Sequence, residues 1–410
     1  MKSSAKKWLK GLIKFAVCAG ALLYLSTKVT LEDYVRLADA PQEKHLLLSK
    51  TRVLHPDARL LILDADTGIQ REVSPADLAK QVDLKKDQRP IELGLKTVLR
   101  SADWSWASWA LLVFAPIPAV MAWRLRNLLE TQDIHITYRD ALLLTVAGNF
   151  FNFAMPGTTG GDIYKAYHIA KRTHKRTEGV TVVILDRVVG LLSFLLIAAG
   201  AIFAASGTDI VGQFGRWVGY LLCALIAAGL LFFSKRMRRL IHYDTWLEKL
   251  PFANKLKRID ETAFSFRYHY VRAASSLIVT VAAHFVLVTS IYFLARSLGI
   301  SPNLGRDATA LYLAVLISTV VGYLFAAIPI SIQGFGLLEA VFWKVLVDGQ
   351  WSNASQMLAL TLGARLVQVV WSLPGVLVPW MGLERPPAAE SAPTADTPER
   401  LSPQQHDAAI

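Results

Sequence analysis

The chain has 410 residues, 53% of them hydrophobic and only 19% charged, with a mean hydropathy of +0.36. Together with apolar runs of roughly 20 residues, the length that crosses a bilayer core, these values exclude an ordinary soluble domain. The net charge of +12 comes from Lys and Arg that flank the apolar runs. It therefore reads as cytoplasmic loops against anionic lipid, and no nucleic-acid partner is expected.

In chain order, Lys2, Lys6, Lys7, Lys10 and Lys14 precede or enter the apolar run 11–25. No small-x-small cleavage site follows it, so residues 1–27 read as a signal-anchor span with its N-terminus in the cytoplasm. Between Lys28 and Arg100 thirteen Lys/Arg stand against twelve Asp/Glu. A long loop of this kind translocates regardless of charge, so residues 28–100 read as an extracytoplasmic insert. Arg59–Ile69 reads as a strand leading to a turn at Asp66–Gly68, and Ser74-Pro75 as a helix start, giving a small α+β external insert. Asp64 and Asp66 resemble the acidic pairs of membrane glycosyltransferases, but a hairpin turn accounts for them.

Trp104–Ala122 is the second span, with Trp104, Trp106, Trp109 and Trp123 at its interfaces and Arg124 and Arg126 ending it on the inside. Leu128–Asp140 is a polar connector. Ala141–Ala154 is apolar but too short to span, and it meets a break that carries Pro156, Gly157, Thr158, Thr159, Gly160, Gly161 and Asp162. The next segment, Ile163–Arg176, holds five cations, including Lys165, and stays cytoplasmic. The chain therefore enters from inside, turns within the membrane and returns. Val180–Ala205 crosses outward and Trp217–Phe233 inward, followed by a basic connector at 235–272 that suits the inner leaflet. Ser276–Ala295 crosses outward. Ala308–Ile328 meets a second break, which carries Pro329, Ser331, Gln333, Gly334, Gly336 and Glu339, and Ala340–Val347 returns. Met357–Trp380 crosses inward with Arg365, and 385–410 is a disordered cytoplasmic tail. Cys18 and Cys223 lie inside apolar runs as packing residues.

The halves 8–205 and 214–383 repeat the same succession of features and begin on opposite sides. Pro156 matches Pro329, Gly160 and Gly161 match Gly334 and Gly336, and Asp162 matches Glu339. Arg187 follows Asp162 by 25 residues, and Arg365 follows Glu339 by 26. Paired interrupted segments in inverted halves point to a binding site near the bilayer midplane. Helix starts at Gly160–Asp162 and Gly334–Glu339 offer free N–H groups and partial positive charge to an anion. Arg187 and Arg365, at bilayer depth, contact a lipid phosphate or pair with Asp162 or Glu339, and those two acids either cap the return helices or receive a cationic headgroup or a coupling proton. Asp186 faces elsewhere on the helix, toward Lys165 or Arg172. His284 reads as a packing histidine. With no Walker A loop, HExxH, CxxC or nucleophile elbow, no catalytic residue, metal or cofactor is expected.

The stretches PGTTGGDIYKAYHIAKRT, VVILDRVVGLL and IPISIQGFGLLEAVF resemble the lysylphosphatidylglycerol synthase transmembrane region, also called the flippase-like family. Asn149 or Asn152, Pro156, Gly157, Gly160, Gly161, Asp162, Asp186, Arg187, Pro329, Ser331, Gly334, Gly336 and Glu339 fall on its pattern. The resemblance covers about 101–383 and the first span. It departs in lacking a C-terminal aminoacyl-transferase domain, in Lys165 where many members have arginine, and in the length of the insert. Members of this family flip lysyl-phosphatidylglycerol or are linked to glycolipid or polyprenyl-linked sugar export.

The resulting expectation is an all-α polytopic membrane protein with six spans plus two re-entrant hairpins in an inverted repeat, its flippase-like membrane domain at 101–384. It is a non-enzymatic flippase of a bacterial inner membrane, with both termini cytoplasmic, moving a phospholipid or lipid-linked glycan whose anionic headgroup sits between the hairpins. The alternative is a non-transporting lipid-binding accessory protein, whose partner is a membrane glycosyl- or acyltransferase.

Overall fold

The computed structural model describes residues 27–37, 43–48, 60–63, 70–74, 91–155, 160–204, 264–300, 307–327 and 334–381, with a few isolated positions besides. Apart from those isolated positions, the signal anchor, the turn at Asp66–Gly68, the insert helix expected from Pro75, the span at 217–233, most of the 235–272 connector, the tail, and the segments 156–159 and 328–333 lie outside the described residues.

Five short strands form one antiparallel sheet in the order β4-β3-β2-β1-β5: β1 (Tyr34–Val35), β2 (His45–Leu47), β3 (Leu60–Leu63), β4 (Gln70–Val73) and β5 (Ile91–Glu92). Strand period two sends Leu60 and Ile62 of β3 to one face, where they are buried with Val35, Leu37 and Val73. The expected hairpin is β3–β4, with Leu60 opposite Val73 and Leu63 opposite Gln70. Glu92 accepts from Arg36 and from Lys44, both at 2.6 Å. The sheet is tied to the helical part by Asp33, whose carboxylate accepts from Gly94 N at 2.6 Å and Thr97 Oγ1 at 2.9 Å, at the start of α1 (Leu95–Arg100).

The helical part opens with α2 (Trp104–Phe114) and α3 (Pro116–Leu129). Asp103 caps α2 by accepting from Ser105 N at 2.9 Å. Pro116 sits at the first position of α3, where its missing N–H costs little. The two helices and a final turn therefore form one 29-residue segment, Trp104–Gln132. The polar connector expected at Leu128–Asp140 shrinks to 133–137, and the helical segment that carries Arg124 continues past it to Gln132.

Thr137 caps α4 (Tyr138–Ala154), whose 17 residues are about 26 Å long, short of the roughly 30 Å hydrocarbon core. Next come α5 (Gly160–Arg172), α6 (Arg176–Ala204), α7 (Tyr270–Ser297) and α8 (Ala308–Ala326), the last capped by Asp307 at 2.8 Å. The short α9 (Leu337–Phe342) runs into a π-helical turn, Trp343–Val347. A reciprocal capping box of Asn353 and Gln356 opens α10 (Ala354–Ser372).

Five of these segments are long and apolar enough to cross a membrane: Trp104–Gln132, Arg176–Ala201, Tyr270–Ser297, Ala308–Ala326 and Ala354–Val376. Four coincide with expected spans. The fifth is α8, read from sequence as the first leg of the second hairpin; at 19 residues it has the length of a full span. The main apolar core is built from α2, α6, α7, α8, α9 and α10, with Val288, Ile291, Val315, Val320, Leu346 and Leu360 among its buried members. A second cluster, including Leu125, Leu144, Ile169 and Val182, joins α3, α4, α5 and α6. The molecule is a mostly helical, multi-pass membrane protein.

Candidate functional site: a charged cavity among the spans

A cavity of about 380 Å³ lies among the helices, lined from each of α2 to α10. It reaches His284, near the middle of α7. Phe114, Ile117, Met121, Leu287 and Trp371 give it apolar walls, and Arg124, Asp162, Lys165, Asp186, Arg187 and Arg365 give it charge.

The first charged group comes from the α4–α5 pair. Gly148 and Gly161 let these helices touch: a Cβ on Gly161 would stand 1.9 Å from Gly148 O. Asn152 Oδ1 accepts from Gly161 N at 2.8 Å, so that N–H is taken by a side chain. One turn of helix exposes Asp162 to Arg187 of α6, and the two form a direct ion pair. Their side chains remain 27% and 30% exposed.

The second group comes from α9 and α10. Gly334 and Gly336 adopt φ of +70° and +87°, backbone that favours glycine, and a Cβ on Gly334 would meet Ala326 Cβ at 2.3 Å. The turn thus folds tightly back on the end of α8. Glu339 Oε2 accepts from Gly336 N at 2.7 Å, and its Oε1 accepts from Arg365 Nη2 at 2.8 Å. Here the side chains are only 1% and 12% exposed. Arg365 also lies over the Phe335 ring, 3.8 Å from its centroid. The expectation that helix-start N–H groups lie open to an anion is corrected at two positions: Asn152 holds Gly161 N, and Glu339 holds Gly336 N.

In the third group the approach of Lys165 to Asp186 was expected and the contact with Arg124 was not. Asp186 Oδ1 accepts from Arg124 Nε at 2.7 Å, and Arg124 Nη1 donates to Thr280 Oγ1 at 3.1 Å. Lys165 Nζ stands 4.0 Å from the other Asp186 oxygen. Arg172, offered from sequence as a partner for Asp186, instead meets Asp140 at 3.7 Å. The Arg124 contact was missed because a cation just past an apolar run reads as a positive-inside stop. The available signal was Asp186 itself, a carboxylate inside a span, which calls for a buried cation.

His284 stacks on Phe194 with ring centroids 3.6 Å apart, and its Nδ1 shares a hydrogen bond of 2.7 Å with Ser193 Oγ. Phe194 in turn stacks on Tyr323, whose hydroxyl accepts from Gln368. Tyr323, Gln368 and the buried Thr145 also line the cavity and were missed from sequence. Of the residues singled out from sequence, Asn149, Asn152, Asp162, Lys165, Asp186, Arg187 and Arg365 line one cavity, and Gly160, Gly161, Gly334, Gly336 and Glu339 shape or pair with its wall. Pro156, Gly157, Thr158, Pro329, Ser331 and Gln333 lie outside the described residues. Among the described residues no cluster of three or more His, Cys, Asp or Glu has metal-binding geometry.

Fold and cavity together define a polytopic membrane protein with paired acids and arginines facing one chamber between its spans. Residues 94–375 match the family described as the lysylphosphatidylglycerol synthase TM region, and the chain belongs to that family. The matched stretch begins after β5, so the five-stranded sheet lies outside it. No curated protein matches the chain.

Proposed function

We propose that this protein is an integral membrane flippase or transporter for a phospholipid or lipid-linked glycan, with the headgroup held in the charged cavity and the acyl chains outside in the bilayer. One observation carries the reading: two acid–arginine pairs, Asp162–Arg187 and Glu339–Arg365, built with nearly the same sequence spacing, flank one cavity among helices apolar enough to cross a membrane. Charged side chains at bilayer depth mark substrate pathways, because each costs about 2.5–3.5 kcal/mol on insertion scales unless paired or used.

In this reading α4 and α5 form one re-entrant hairpin and α8, α9 and the intervening turn the other, in two halves of inverted topology. Six spans complete the membrane domain at 101–384 and the anchor at 1–27, and 28–100 forms the external insert. Rocking of one half against the other exposes the cavity to each side in turn. The setting is a bacterial inner membrane with cytoplasmic termini. No residue acts as a catalyst: the paired groups bind and orient, and the apolar walls exclude water.

The test is reconstitution of the full chain into liposomes holding a trace of acyl-labelled lipid, with leaflet exchange read by a membrane-impermeant quencher. Movement is expected, falling to background with Asp162→Ala or Arg365→Ala while the variants still elute as folded protein. If no phospholipid or lipid-linked sugar moves, transport is wrong, and lipid retained through purification would then support an accessory lipid-binding role.

A further inference from the structure

We infer that the headgroup taken by this cavity carries a single net negative charge, one phosphodiester without an ammonium group, and that Lys165 is the cation that meets it. This rests on the transport reading above.

The charges lining the cavity do not balance. Among the described residues, four lining cations, Arg124, Lys165, Arg187 and Arg365, stand against two lining carboxylates, Asp162 and Asp186, and against Glu339, which does not line the cavity but pairs with Arg365. Three of the cations are matched at close range: Arg187 by Asp162, Arg365 by Glu339, and Arg124 by Asp186. Arg124 also donates to Thr280 and stays on Asp186, so one carboxylate serves two cations. Lys165 has only a share in Asp186, whose other oxygen Arg124 holds at closer range. Its ammonium makes no hydrogen bond to a described residue, and its nearest carboxylate oxygen is 4.0 Å away. Lys165 is nevertheless only 8% exposed. A buried cation in this position calls for an anion. Protonation of His284, the cavity's one histidine among the described residues, would add to the positive excess and leave its sign unchanged.

The surroundings of Lys165 suit a phosphate oxygen. Its stem lies where a Cβ on Gly148 would be, 2.8 Å from Lys165 Cε, so the missing side chain gives it its path. Thr145, one turn before Gly148 on α4, lines the same cavity. Its Oγ1 is buried, 1% exposed as a residue, with no hydrogen-bond partner among the described residues. An ammonium with three donors and a free hydroxyl provide the contacts a phosphodiester accepts. A zwitterionic head would bring its ammonium among three arginines and a lysine, and an aminoacylated head would bring a net positive charge.

The experiment compares acyl-labelled phosphatidylglycerol, phosphatidylethanolamine and lysyl-phosphatidylglycerol in proteoliposomes of the full chain, with a polyprenyl phosphodiester-linked sugar alongside to show which lipid supplies the anion. Hydrogen bonds to a charged group give an expected preference of roughly 10–100-fold for the two net −1 lipids. Lys165→Gln should remove that preference, Lys165→Arg should keep it, and Lys165→Glu should turn it toward lysyl-phosphatidylglycerol. Thermal unfolding of each variant separates loss of preference from loss of fold. Equal handling of all head charges by the wild type, or an unchanged order in Lys165→Glu, overturns the inference and leaves transport standing. If none of the lipids moves, the transport reading fails and this inference with it.

Discussion

Breaking the Glu339–Arg365 pair should destabilise the protein far more than breaking its sequence counterpart, Asp162–Arg187. The two pairs have similar spacing and different burial. Glu339 is 1% exposed and Arg365 12%, whereas Asp162 and Arg187 are 27% and 30% exposed. Removing one partner of a buried pair costs about 3–5 kcal/mol, because the other charge is left without compensation. Partly solvated pairs contribute about 1 kcal/mol or less. Glu339→Gln is the cleaner single change: glutamine still accepts from Gly336 N as the third residue of a capping box, so only the charge is lost. Arg365→Met keeps the stem's packing and strands Glu339. The double variant Glu339→Gln/Arg365→Met strands neither, so it should be much less destabilised than the sum of the singles, with a coupling of about 2–3 kcal/mol. For Asp162→Asn and Arg187→Met the coupling should be about 1 kcal/mol or below. Denaturant unfolding in detergent micelles, followed by tryptophan fluorescence, measures both cycles. Additive effects at Glu339 and Arg365, or equal couplings in the two cycles, would refute the claim that burial sets the strength of these pairs.

Two further outcomes follow from packing and topology. Gly161→Ala should cost about 1–3 kcal/mol or more, since its Cβ would meet the rigid Gly148 carbonyl at 1.9 Å, while Gly148→Ala should cost less, since its closest neighbour is the flexible Lys165 stem at 2.8 Å; thermal unfolding of both variants tests the order. In the proposed topology single cysteines at the exposed Lys171 and Asp348 should react with impermeant maleimide from opposite faces of oriented vesicles, and labelling from the same face would break the inverted repeat.

Much of the frame is legible in one dimension. Apolar runs bounded by Trp, Lys and Arg give the candidate spans, since length and hydropathy are the physical conditions for crossing. The run of Leu and Ile at Leu60–Leu63 and the Asp/Gly-rich sequence after it point to the β3–β4 hairpin. Acid-to-arginine intervals of 25 and 26 residues give the two pairs, because each joins a break to the span that follows. The Arg124 contact joins residues 62 apart in sequence, and the Arg124–Thr280 contact residues 156 apart. No local pattern distinguishes such a cation from a positive-inside stop. Only the packing of α3 against α6 and α7 turns it inward.

The sequence by itself determined most of the apolar segments, the Gly-rich breaks, and which acids and arginines recur in the two halves. Those properties follow from local chemistry and periodicity. Only the tertiary structure decided that both pairs meet at one cavity, that Asn152 and Glu339 occupy N–H groups otherwise open to a ligand, and that Arg124 and Lys165 share Asp186. The reason is that burial and charge balance belong to a space enclosed by several helices, and a linear order of residues does not specify which side chains will share it.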